Sequence, residues 1–185
     1  MLIRKAKAEE SQIISYLILL AMEDIVYGFI EENSFEKAVK WLNSLVKEKN
    51  NQYSYENCWV AQLDHEIVAA VLVYNGAKLQ ELREPVAKSI QLKFHKDFNP
   101  EDETQAGEYY IDCVGVHPNK QGKGIGSQLF RFLIDEYVYK RNQTLGLLVD
   151  DENPNAKKLY LKLGFKVVNK KIFAGKNMEH LQFTK

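Results

Sequence analysis

Net charge is the first thing this sequence lacks. Its 25 lysines and arginines are matched by 25 aspartates and glutamates, so no global basic field gathers nucleic acid or an anionic membrane, and neither is expected as a partner. Any anion must be held locally. Cysteine is scarce too: Cys58 and Cys113 form no CxxC pair and both lie in apolar runs of strand character, which argues against a zinc site or a disulfide framework. Buried thiols in a reducing compartment are the expectation. The four histidines, His65, His95, His117 and His180, have no mutual ligand spacing, so no metal is expected. Long apolar runs are also missing. Runs such as "YLILLAM" are too short to span a bilayer, and "MLIRKAKAEESQ" carries charges where a signal peptide needs an apolar core. The reading is a cytoplasmic protein with no membrane partner. With 4 prolines in 185 residues, 45% of them hydrophobic, the chain suffices for one sizeable core, and one domain over residues 1–185 is expected.

What is present alternates between strand and helix patterns without repeats. "LIRKAK" reads as a strand, and Ile13, Ile14, Leu17, Ile18 and Ala21 then recur at helical spacing. Ser34 is placed to cap a second helix with Phe35, Ala38, Val39, Leu42, Leu45 and Val46 on one face. "CWVAQL" and "IVAAVLVY", separated by "DHE", predict an antiparallel hairpin. Residues 76–107 have helical composition interrupted by Pro85 and then the acidic stretch "NPEDETQAGE", which predicts helical pieces followed by an exposed loop. A strand "EYYIDCVGV" runs into a glycine-rich turn and then a helix whose stripe is Ile125, Leu129, Phe132, Leu133 and Tyr137. The strand "TLGLLVD", a short helix ending at Gly164 and two further strands close the chain. The sum is an α/β fold, a mixed, twisted central β-sheet flanked by helices on both faces.

The glycine turn carries the chemistry. A strand running straight into a helix leaves the first helical amides unpaired at the positive end of the dipole, a ready site for phosphate. Gly122, Gly124 and Gly126 let that backbone come close, while Gln121 and Lys123 offer side-chain donors. A nucleoside-triphosphate P-loop fails, since His117 stands five before Gly122 and Gly124 follows Lys123; a dinucleotide fingerprint fails at Ser127. What fits is Q-x-x-G-x-G, as Gln121, Gly122, Lys123, Gly124, Ile125 and Gly126. Alone, this hexamer is equally a tight strand-to-helix turn with no ligand.

The surroundings add a second motif. "YYIDCVGVHPNKQGKGIGSQLF", followed some way on by "DDENPNAKKLYLKLGF", closely resembles the GNAT superfamily of acyl-CoA-dependent N-acetyltransferases, over most of the chain from about residue 55 to the end. The resemblance implies acetyl-CoA as co-substrate, with the amides of Gln121 to Gly126 around its pyrophosphate. It implies main-chain groups of Val114 and Val116 pairing with the pantetheine arm where two parallel strands splay, and Asn153 bonding the pantetheine or phosphate region. Tyr160 matches the tyrosine taken as general acid for the leaving thiolate, and a phenol with an ordinary pKa of roughly 10 suits that role.

The implied reaction is direct attack of a neutral primary amine, of a small molecule or peptide, on the acetyl carbonyl. It needs a base, an oxyanion donor near Val114 or Cys113, and an acid. Period-two alternation sets Glu108, Tyr110, Asp112, Val114 and Val116 on one strand face. Asp112 is therefore the first candidate base and Glu108 the second, with a water relay open. Helices one and two and residues 76–107 are expected to wall the acceptor pocket. The acidic stretch could attract a cationic amine such as a polyamine, an aminoglycoside or a lysine-bearing peptide; a flexible loop is its more ordinary reading. An acyl-cysteine at Cys113 is set below simple burial. Two alternatives stay open, a non-catalytic coenzyme A binding or sensor module and transfer of a different acyl group. The oligomeric state, a homodimer included, is not readable.

Overall fold

The computed structural model describes all 185 residues. In chain order the elements are β1 (Leu2–Lys5), α1 (Ser11–Ile30), α2 (Phe35–Val46), β2 (Cys58–Leu63), β3 (Glu66–Asn75), α3 (Leu79–Phe94), β4 (Tyr109–Val116), α4 (Ile125–Leu133), β5 (Leu145–Asp150), α5 (Pro154–Leu163), β6 (Lys166–Phe173) and β7 (Lys176–Phe183). All seven strands join one sheet in the order β1-β2-β3-β4-β5-β7-β6. Every pairing is antiparallel except β4 with β5. The mixed α/β architecture read from the sequence is the one observed. The β2–β3 hairpin turns on Asp64 and His65, both at positive φ (47° and 67°). That is the two-residue turn whose twist matches the flanking strands.

Helices cover both faces. On one, Leu17 and Ile18 of α1, Leu42 of α2 and Val86 and Ile90 of α3 pack with Val60, Ala70 and Leu72 of the sheet. On the other, Leu129 and Leu133 of α4 meet Val71, Ile111, Leu145 and Leu147, with Tyr160 of α5 beside them. Helix α1 is apolar and long enough to cross a membrane, yet Ile14, Leu17, Ile18 and Leu19 are fully covered by the protein. It lies so close to β4 that a Cβ on Gly115 would overlap the Leu17 carbonyl, which is why glycine stands there. At Met22 (φ −142°, ψ 33°) α1 leaves helical geometry and kinks. Ser34 caps α2 as expected, accepting the Lys37 amide, but Phe35, expected on the buried face, is exposed.

Two expectations for residues 76–107 are corrected. Helix α3 runs through Pro85 without a break. The segment that follows is not simply an exposed acidic loop, because Glu103 and Thr104 are buried. The reason is Arg83, a buried guanidinium on α3 that must be satisfied. It donates to Asp102 at 2.9 Å, to the carbonyls of Pro100 and Glu101 at 3.1 Å, and to Glu103. Four acceptors in succession fold the segment around one side chain.

Candidate active site

Strands β4 and β5 pair over only three registers, Tyr109↔Leu145, Tyr110↔Gly146 and Ile111↔Leu147. Both strands continue beyond them, to Val116 and Asp150, so they splay and leave a gap. The splay begins beside an irregularity on the other edge of β4. Leu72 faces Cys113 and Val73 faces Ile111, which makes Asp112 the extra residue of a β-bulge. The bulge overturns the expected alternation. Beyond it Val114 and Val116 pack toward the α4 side while Cys113 turns to the α1 side, so they do not share a face with Glu108 and Tyr110.

The gap opens into a cleft of about 830 Å³ lined by Asp112, Cys113 and Val114 of β4, Leu148 to Asp150 of β5, and Asn153 and Tyr160. Its far wall is the kinked stretch Leu20 to Ile25 of α1, together with Gln52, Tyr53 and Glu103. Helix α1 and the 95–107 segment thus wall the pocket as expected; α2 does not. Six carboxylates border it, those of Glu23, Asp24, Glu103, Asp112, Asp150 and Glu152, against the single cation of Lys176. Lys176 is itself engaged by Asp150 at 3.0 Å. The cleft is therefore electronegative and suited to a cation.

At one end of β4 the chain enters the glycine turn. Gly122 and Gly124 take positive φ (74° and 76°), and Gly124 is the N-cap of α4 with no side chain capping it. None of the amides from Gly122 to Ser127 has a main-chain partner; the first helical bond is Gln128 to Gly124. This row of free donors at a helix N-terminus, with nothing near Gly122, Gly124 or Gly126, fits a pyrophosphate. The side-chain donors behave otherwise. Gln121 Nε2 bonds the Val116 carbonyl at 3.1 Å, and Lys123 Nζ bonds the Asn119 carbonyl at 3.3 Å. Along β4, the His117 amide donates across to Val68 on β3. By ladder alternation the amides of Val116 and Val114 point the other way, into the gap.

Asp112 stands at the bulge, its Oδ2 taking Gln52 Nε2 at 2.9 Å. Burial above all, and then the nearby Glu103 carboxylate, push its pKa up to about 7, against the opposing hydrogen bond of Gln52 and the charge of Arg83. Tyr160 packs on Phe130 with ring centroids 4.9 Å apart, and burial pushes its hydroxyl up to about 12. It is a proton donor over any ordinary pH range. The buried Cys113 thiol is pushed well above its usual value, which makes it a poor nucleophile.

Glu108 lies elsewhere. Its carboxylate takes bonds from Thr104 at 2.7 Å and Gln182 at 2.7 Å and meets His180 Nε2 at 2.8 Å, and it fills the space a Cβ on Gly146 would need. Burial works to raise its pKa, but these bonds hold it below the usual carboxylate value. It anchors the 95–107 segment to the sheet and does not border the cleft, so the second candidate base is withdrawn. Asn153 borders the cleft, with its Oδ1 committed to capping α5 at the Ala156 amide, 3.1 Å; only its amide nitrogen is left for a ligand. Gln52, Glu103 and Arg83 carry no sequence signal. They come from segments far apart in the chain and meet only in three dimensions.

The profile of the Acetyltransferase (GNAT) family matches residues 26–165. Among solved structures, one described as an acetyltransferase is 30% identical, with a TM-score of 0.82 over 100% of this chain and 99% of that one. An N-acetyltransferase from Staphylococcus aureus Mu50 is 19% identical, with a TM-score of 0.84 over 99% of this chain and 100% of that one. A polyamine N-acetyltransferase from Drosophila melanogaster, which forms N-acetylagmatine, is 12% identical, with a TM-score of 0.61 over 100% of this chain and 99% of that one. No curated protein matches the sequence.

Proposed function

The chain belongs to the GNAT acetyltransferase family, and on that premise we propose that it transfers an acetyl group from acetyl-CoA to a primary amine of a cationic small molecule or peptide by direct attack. The observation that carries this reading is the splay of β4 from β5. It sets Asp112, the main chain of Val114 and the ring of Tyr160 around one cleft, and β4, which edges that cleft, runs on into the turn with the free amides from Gly122 to Ser127.

In this reading those amides, with that of Gln121, hold the pyrophosphate. The Val114 and Val116 main chain pairs with the pantetheine arm as an added strand, and the Asn153 amide nitrogen donates nearby. Asp112 takes a proton from the bound ammonium, which frees the nitrogen lone pair to attack the acetyl carbonyl carbon. The Val114 amide donates to the oxygen that becomes negative. The carbon–sulfur bond then breaks as Tyr160 gives its proton to the departing sulfur, and the attacking nitrogen gives up its second proton to restore the Tyr160 hydroxyl, which leaves the neutral amide and the free thiol. Asp112 has a proton affinity near the working pH, as a general base requires. The carboxylate-rich lining supports a cationic acceptor, in keeping with the N-acetylagmatine that the Drosophila enzyme forms.

Thiol release from acetyl-CoA over a panel of agmatine, spermidine, an aminoglycoside and a lysine peptide tests the proposal. Acceleration by at least one amine, with stoichiometric N-acetyl product, is expected. Coenzyme A binding without acceleration by any amine would replace the enzyme with a coenzyme A sensor.

A further inference from the structure

The amide of Gln52 is bound on one side only. Its Nε2 lies 2.6 Å from Glu103 Oε1 and 2.9 Å from Asp112 Oδ2, while its Oε1 is buried with no partner at all. Chemistry fixes this orientation. Two carboxylates need donors, an amide has two on nitrogen and none on oxygen, and turning the group over would set oxygen against oxygen. The third neighbour, the Tyr74 hydroxyl at 3.1 Å, spends its own proton on Glu103 at 3.0 Å. The outcome is an unsatisfied acceptor on a side chain only 4% exposed, in the wall of the cleft and bonded to the candidate base. A buried acceptor without a donor is unfavourable, and a ligand that supplies an N–H removes that cost. No donor of the protein lies within hydrogen-bond distance of this oxygen.

We propose that Gln52 seats the acceptor nitrogen: its Nε2 braces Asp112 and Glu103, and its Oε1 accepts a second N–H from the amine whose first N–H faces Asp112. The inference rests on the acetyl-transfer reading of the same cleft. It makes Gln52 a substrate-contacting residue and sets a chemical requirement on the acceptor. The ammonium must offer at least two N–H bonds, one to give up to Asp112 and one to keep against Gln52 while the lone pair attacks. A neutral oxygen is suited to the second task, since it accepts a hydrogen bond without competing for the proton.

A ligand–protein double cycle tests this. The amine of the panel that releases thiol fastest is paired with its N,N-dimethyl counterpart, which as an ammonium carries a single N–H, and both are titrated into the protein saturated with coenzyme A. Dimethylation is expected to weaken binding to the unaltered protein at least tenfold more than binding to Gln52→Met, a factor typical of one hydrogen bond to a charged group. Equal penalties in the two proteins would overturn the proposal, because bulk alone is felt with or without the amide. Should Gln52→Met fail to fold, Gln52→Asn keeps both donors but withdraws the oxygen by one methylene, and it is held to the same comparison. If no amine releases thiol from the unaltered protein, the acetyl-transfer reading falls and takes this proposal with it. A folded variant that still acetylates but shows no change in the dimethyl penalty overturns the Gln52 contact alone.

Discussion

Glu103 and Asp112 share one amide. Gln52 Nε2 stands 2.6 Å from the first and 2.9 Å from the second, so two carboxylates from different segments are held close in a buried wall. Only Glu103 has a guanidinium of its own, that of Arg83. Asp112 has none, and burial first, then the neighbouring Glu103 carboxylate, raise its proton affinity.

A pH dependence follows from this pair. Asp112 acts as a base only when ionised, so kcat/KM should fall on the acid side with an apparent pKa of about 7. Glu103→Gln removes the neighbouring negative charge and should move that limb to lower pH by about one unit, while Asp112→Asn should abolish the limb and lower kcat by about a hundredfold or more. Rate profiles between pH 5 and 9 check this. A limb unmoved by Glu103→Gln would detach Glu103 from the base.

The acid is tested separately. Tyr160→Phe keeps the ring packed on Phe130 and removes only the hydroxyl, so kcat should fall by about a hundredfold with acetyl-CoA affinity nearly unchanged. Calorimetry and single-turnover rates on the same preparation separate the two. An unaltered rate would remove Tyr160 from the mechanism.

For the phosphate cradle, Gly124→Ala is the informative change. Gly124 caps α4 at φ 76°, where an alanine costs roughly 1 kcal/mol of backbone energy, and a methyl group would project at the edge of the free amides. Coenzyme A binding should weaken about tenfold. Binding of pantetheine, which has no pyrophosphate, should not change. Equal weakening of both would mean that the loop does not hold the phosphates.

Much of this arrangement was legible because it is local. The strand–glycine–helix unit depends on neighbours in sequence, while Asn153 and Tyr160, which border the cleft, were indicated by the family resemblance of their segment. The misreadings share a different cause. Strict alternation along β4 failed at Asp112 because a bulge is a property of two strands, set by how β3 pairs with β4. Residues 95–107 looked like solvent-exposed loop because their acidity has no local partner; the partner is Arg83, one buried cation on α3. Glu108 carried the right chemistry for a base, but its environment is set by His180 and Gln182 near the end of the chain.

The same raised proton affinity that suits Asp112 to catalysis should cost stability. Its folded pKa, about 7, lies above the unfolded value of 3.8, so the native state prefers the protonated acid. No penalty exists below about pH 4; it grows as pH rises and is complete above about pH 7, where the folded protein must hold a charge that the unfolded chain leaves in water. Asp112→Asn removes the charge and keeps the shape. It should stabilise the protein at pH 8 by up to about 4 kcal/mol and by almost nothing at pH 4, as read from urea midpoints at the two pH values. A gain at both would point to packing and not to the carboxylate, whereas a gain confined to high pH ties the stability loss and the catalytic role to one buried group.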